Sequence, residues 1–77
     1  MKVKLYYGKV NKYGIGDVDI LLAKDVEIEN VGKIINDNKQ KMLKGWPYVE
    51  QGDFIQVVAE NIEEDYIEVV DMFKAKE

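Results

Sequence analysis

Asp, Glu, Lys and Tyr carry nearly all the side-chain chemistry open to this chain, because its 77 residues include no His, Cys, Ser, Thr or Arg. Without Ser, Thr or Cys no nucleophile triad can be assembled, and without imidazole the commonest general base is missing. Tetrahedral zinc sites lose their usual Cys and His ligands, leaving carboxylates alone. The absent guanidinium removes the bidentate fork that suits phosphate and guanine. What survives is a carboxylate pair, which needs a cleft that a domain this small seldom encloses. The chain is therefore expected not to be an enzyme, and no catalytic residue and no cofactor is assigned.

Two spacings come nearest to a site. Asp17-Val18-Asp19 sets two carboxylates on one side of an extended chain, where their oxygens could meet Mg²⁺ or Ca²⁺. A solvated outward pair explains the same spacing and is preferred, so no metal site is assigned. Gly14-Ile15-Gly16 lacks the third glycine, the following Lys-Ser or Lys-Thr and the helix that a phosphate loop needs. Turn geometry accounts for it.

The elements that must position any surface follow from periodicity. Between Asn30 and Lys44, Val31, Ile34, Ile35, Met42 and Leu43 return to one face at helical spacing. Asn30 is the expected N-cap, and Lys39, Lys41 and Lys44 load the C-terminal end as the helix dipole prefers. Gly45 is expected at C′ in the left-handed conformation, and Pro47 stops the helix. Asn38 falls on the inward stripe, either as a wet amide at the sheet margin or as a polar reader of a partner.

Residues 1–10 read as a strand, with Val3, Leu5 and Tyr7 alternating against Lys2, Lys4 and Tyr6. Residues 11–17 form a turn. Val18, Ile20 and Leu22 open a second strand that continues through Val26 and Ile28. After a loop over residues 48–53, Phe54 to Ala59 is a third strand rich in β-branched and aromatic residues. The last segment admits two readings. Tyr66 to Phe73 suits a strand paired with the Phe54 strand, whereas Ile62, Tyr66, Val69 and Phe73 also repeat at helical spacing. Glu60, Glu64 and Glu68 would stack and repel on such a helix, so the hairpin is favoured. A turn near residues 63–65 without Gly is the weak point of that reading. Residues 75–77 read as a frayed tail.

The predicted fold is thus α+β: a small four-stranded sheet with one helix packed on one face, in the order ββαββ, with ββαβα and a C-terminal helix as the alternative. Residues 1–77 form a single domain. That order resembles β-grasp domains such as ubiquitin, in element order alone. The chain ends in Lys76-Glu77 rather than the Gly-Gly that ubiquitin-like conjugation needs, so the resemblance implies no activity.

A domain of this length buries only about 60% of its unfolded surface, and with no cysteine no disulfide reinforces it. The N-terminus alternates Lys and Val rather than forming the apolar core of a signal peptide, and no apolar run approaches the roughly 20 residues of a membrane span. A soluble cytoplasmic protein with no membrane partner is expected.

Charge is divided along the chain. Residues 1–24 hold Lys2, Lys4, Lys9, Lys12 and Lys24 against Asp17 and Asp19, whereas Glu60, Glu63, Glu64, Asp65, Glu68 and Asp71 crowd the last third of a chain of net charge −4. If the first and last strands are neighbours, their Lys and Glu rows neutralise each other across the sheet. Otherwise the acidic cluster is a docking patch for a basic partner.

One helix covers one side of a sheet, yet several strands carry apolar residues on both sides: Tyr6 beside Leu5, Leu21 beside Ile20, Phe54 and Val58 beside Ile55 and Val57, Tyr66 and Val70 beside Ile67 and Val69. A second face left wet would read as polar. The expected function is a non-catalytic interaction module, adaptor or inhibitor in type, binding a protein partner or forming a homodimer. Its candidate partner-binding residues are Tyr6, Phe54, Val58, Tyr66 and Val70 with Glu60, Glu63, Glu64, Asp65, Glu68 and Asp71. The alternative is nucleic-acid-related. One version is a single-strand binder using Tyr6, Tyr7, Tyr13 and Trp46 as stacking platforms; the other is an acidic decoy for a basic groove. The sequence pI of about 4.8 and the missing Arg speak against nucleic acid as a partner.

Overall fold

A computed structural model describes residues 1–76. The chain runs β1 (Lys2–Val10), β2 (Ile20–Glu27), a 3₁₀ turn (Ile28–Asn30), α1 (Val31–Lys44), β3 (Phe54–Asn61) and β4 (Tyr66–Lys74). This is the ββαββ order of an α+β fold. The final segment is the strand of a hairpin and not a helix. The four strands lie in the order β2-β1-β3-β4, and every pairing is antiparallel.

The core lies between α1 and one face of the sheet. Val3, Leu5 and Tyr7 from β1 and Ile55, Val57 and Ala59 from β3 pack with Val31, Ile35 and Met42 of the helix. β3 alternates buried and less buried residues along its length, and β1 does so from Lys2 to Tyr7. The two-residue period therefore aims one row at α1 and the next away from it. Trp46, just past the helix, stands edge-on to Tyr7, with ring centroids 6.4 Å apart at 85°.

The helix ends differ from the sequence expectation. Asn30 makes no side-chain cap bond; it is the last residue of the 3₁₀ turn, and the Val31 N–H donates to the Ile28 carbonyl. The preceding 3₁₀ turn thus supplies an acceptor for one of the amides that a helix start leaves unpaired. Gly45 has φ −74° and ψ 2°, so it is not left-handed. Pro47, which bars α geometry at Trp46, is the sufficient stop. Asn38 is half-buried, and its amide donates to the Ile34 carbonyl at 2.7 Å, one turn back on its own helix.

The loops show how turns form with few glycines in the usual places. Asn11 Oδ1 accepts from the amides of Tyr13 and Ile15, and Gly14 takes φ 80°. At the β3–β4 turn, Asn61 is buried and its Oδ1 accepts from the Glu64 amide at 3.1 Å. Asp65 supplies the left-handed residue, φ 52°, that Gly would have provided. Val18 precedes β2 rather than opening it. β2 itself slips register twice against β1, with Asp25 at φ 57° inside the irregular stretch. Ala75 is not frayed: its amide donates to the Asp53 carbonyl at 2.9 Å, while Glu77 lies outside the described residues.

Candidate interaction surface

Residues directly opposite each other on neighbouring strands share a face. The register pairs Tyr6 with Leu21 on β2 and with Val58 on β3, and pairs Val58 with Val69 on β4. One apolar row, Leu21–Tyr6–Val58–Val69, therefore crosses the whole sheet on the side away from α1. Tyr6 alternates with Leu5 and Tyr7, and Val58 with Val57 and Ala59, all of which belong to the helix-side core. Ile67, opposite Glu60, and Met72, opposite Gln56, extend the patch along β4. Phe54, opposite Lys74, closes it on β3. Leu21 is 50% exposed, Val69 and Met72 53%, and Ile67 63%, whereas Tyr6, Val58 and Phe54 are half-buried. Fully burying a side chain of this size contributes roughly 1.5–3 kcal/mol relative to leaving it in water.

The two ends of this open face differ. At one end β1 presents Lys2 and Lys4, with Glu60 opposite Lys4. At the other, the loop 11–19 folds back over the sheet. Gly8 pairs with Gln56 and so points to the open side. A Cβ there would collide with the carbonyl of Asp17 and the Cα of Val18, and one on Gly16 would collide with the backbone of Lys9 and Val10. Only glycines allow so close an approach. The loop also explains Val10, which pairs with Phe54 on the open side yet is only 3% exposed.

The expected site residues divide into three groups. Tyr6, Phe54, Val58 and Glu60 lie together on the open face. Tyr66 and Val70 do not join them. Tyr66 pairs with buried Asn61, on the helix side, and Val70 packs against the core. The reason is a bulge: Val57 pairs with Asp71 but Val58 with Val69, leaving Val70 as the extra residue and shifting the alternation of β4 by one. Ile67 and Val69 take the open-face positions instead. Glu68, opposite Ala59, and Asp71, opposite Val57, fall on the helix side, while Glu63, Glu64 and Asp65 belong to the turn. Glu60 apart, the acidic cluster lies off the apolar face.

The expected neutralisation of β1 by β4 is overturned, because β3 lies between them. Among the described residues, ion pairs join the Met1 amine to Glu27, Lys9 to Asp53 and Lys33 to Asp37, and none links β1 to β4. The four rings considered for base stacking are also scattered. Tyr6 is on the open face, Tyr7 is buried against Trp46, and Tyr13 stands 75% exposed in the loop 11–19.

The most organised ionic group fastens the loop after α1 to β1. Lys9 Nζ lies 3.3 Å from the buried Asp53 carboxylate and donates to the Tyr48 carbonyl. Asp53 Oδ2 also accepts from the Glu50 amide at 2.8 Å. That backbone bond, with lesser help from Lys9, holds the Asp53 carboxyl below its ordinary range against the opposing effect of desolvation. Tyr48 donates its hydroxyl to Glu50 Oε1, and this bond, together with the nearby carboxylate charge, raises the phenol above its ordinary value. The group thus ties Lys9, Tyr48, Glu50 and Asp53 to one another.

Two open recesses flank the β3–β4 turn. One of about 290 Å³ is lined by Asn61, Asp65, Tyr66 and neighbours, the other of about 260 Å³ by Lys2, Lys4, Asp25, Ile62 and neighbours. Both fall below the usual volume of ligand pockets, and neither contains Asp53 or Tyr48. Among the described residues, no group of three or more Asp and Glu is placed to hold a metal, and no helix is long and apolar enough to cross a membrane. Comparison with family models, with curated proteins and with solved structures gives no match.

Proposed function

We propose that this chain is a non-catalytic protein-interaction module that binds through the open face of its sheet. The observation that carries the reading is the continuous row Leu21–Tyr6–Val58–Val69, with Ile67 and Met72 beside it. It lies on a face that α1 does not cover and that the loop 11–19 overlies only at its Gly8–Val10 end. Contiguous apolar surface rimmed by charge marks a protein contact site. The rim here is Lys2, Lys4, Glu60 and Lys74. The acidic turn and the helix side of β4 remain outside the contact, and their charge steers rather than anchors.

Adjacent positions on β4 give the test. Val69 faces the open side and Glu68 the helix side. A photocrosslinking amino acid at position 69, introduced in the protein's native cells, is expected to yield a discrete protein adduct, while the same probe at position 68 yields none. Equal labelling from both positions, no adduct from 69, or a nucleic-acid adduct from 69 would each defeat the reading.

A further inference from the structure

We infer that Met1 is an oxidant-sensitive latch. Its thioether holds the β3–β4 turn through Asn61, and oxidation of that sulfur to the sulfoxide loosens the turn, whatever the open face binds.

The latch is built on a buried amide. Asn61 closes β3 and is 1% exposed. Its Oδ1 accepts from the Glu64 amide at 3.1 Å, and its Nδ2 donates to Met1 Sδ at 2.9 Å. One rigid amide thus makes both contacts, so the sulfur at one end orients the oxygen that the turn uses at the other. A buried donor stripped of its partner is costly, and an amide this enclosed has little water to turn to. The main chain of Met1 is anchored elsewhere, its carbonyl accepting from the Ile28 amide at 3.0 Å. The side chain therefore ties the start of the 3₁₀ turn to the far hairpin.

A thioether is a weak acceptor, and it is the member of this contact that a peroxide attacks. The O–O bond of hydrogen peroxide breaks and an S–O bond forms. The sulfur gives up two electrons, and the second peroxide oxygen leaves as water. The sulfoxide sulfur carries partial positive charge and no longer attracts an N–H. Nor does the new oxygen fit within the 2.9 Å between Sδ and Nδ2. The contact is lost either way, and methionine sulfoxide reductases reverse the change.

The other two methionines supply the comparison. Met42 is wholly buried in the core. Met72 is 53% exposed, as Met1 is, but lies opposite Gln56 on the open face, away from the turn. Equal access with unequal consequence separates a latch from an incidental lesion.

Hydrogen peroxide treatment of a Met72→Leu chain, read by mass spectrometry, amide exchange and thermal denaturation, tests this. One added oxygen is expected, located at Met1. Exchange at the Glu64 amide is expected to quicken on the order of tenfold, while the amides of α1 stay protected. The melting temperature should fall by about 4–8 °C, and the reductases should restore both values. Norleucine in place of methionine keeps the side-chain shape without the sulfur. That chain should show the quickened Glu64 exchange before any peroxide and no further response to it. A mature chain lacking Met1, a Met1 that resists peroxide, or a sulfoxide that leaves Glu64 exchange unchanged would each overturn the inference. So would protection lost equally from turn and helix, or a norleucine chain that exchanges like the parent.

Discussion

Leu5, Ile55 and Val57 are wholly buried on the helix side of the sheet, while Tyr6, Phe54 and Val58, their immediate neighbours in sequence, are half-buried on the other. Residue type separates the two faces only in part, since the open one mixes Tyr6, Phe54 and Val58 with Lys2, Lys4, Gln56 and Glu60. It does not account for the difference in burial between those apolar neighbours. Cover does. α1 lies over one face along its length, whereas the other has a single strip of loop at the Gly8–Val10 end and is otherwise bare. Composition alone reports how much apolar surface a chain carries; register and cover decide where it remains in water.

The sharpest way to break the comparison is to delete one buried side chain and one exposed side chain of similar kind. Ile55→Ala is expected to cost about 2–5 kcal/mol, because it leaves a cavity against α1. Val69→Ala should move stability by less than about 0.5 kcal/mol in dilute solution. Urea denaturation of both variants checks this, and comparable losses would mean that the open face is as well covered as the other.

A smaller effect is expected from Gly8→Ala. Its methyl group has no space beneath Asp17 and Val18, so the loop must lift, at about 1–3 kcal/mol as for other overpacked sites. Amide hydrogen exchange should then quicken across residues 11–19 and at Val10 while the helix-side core stays protected. Unchanged exchange in the loop would show that it does not rest on the sheet.

The smallest of the three concerns the ionic fastening. The folded Asp53 carboxyl has its pKa lowered, so its contribution is complete above the unfolded Asp value of about 3.9 and is lost as pH falls through the lower folded value. Asp53→Asn is therefore expected to melt at a lower temperature than the parent at neutral pH, and the gap should narrow on acidification below that range. A gap that is constant with pH would assign the loss to packing rather than to charge.

Much of the architecture was legible in the residues. The three-four spacing from Val31 to Leu43 marked the helix, and the alternation of Val3, Leu5 and Tyr7 against Lys2, Lys4 and Tyr6 marked a two-faced strand. Repulsion among Glu60, Glu64 and Glu68 correctly disfavoured a C-terminal helix. The surface was legible only in part. Tyr6, Phe54 and Val58 sit on regular stretches, where parity can be counted along the chain. Tyr66 and Val70 lie on a strand that slips by one residue at a Val-Val-Asp run with no Gly or Pro to announce it, so counting across the bulge inverted their facing. Leu21 carried a signal, as the apolar neighbour of Ile20, but its alignment with Tyr6 depends on a slip in β2 that is equally silent. Asp65 shows the same limit in a turn, since a left-handed Asp is indistinguishable in sequence from one that is not.

The two slips in β2 have a further consequence. A strand kinked twice at one margin, and a strand studded with carboxylates at the other, are both poor templates for adding another molecule's backbone. Fibre-like growth, which needs straight and neutral margins on which one sheet can stitch to the next, is discouraged on either side. Leu21, Ile67, Val69 and Met72, which stay largely in water, are instead displayed on the broad open side of the sheet.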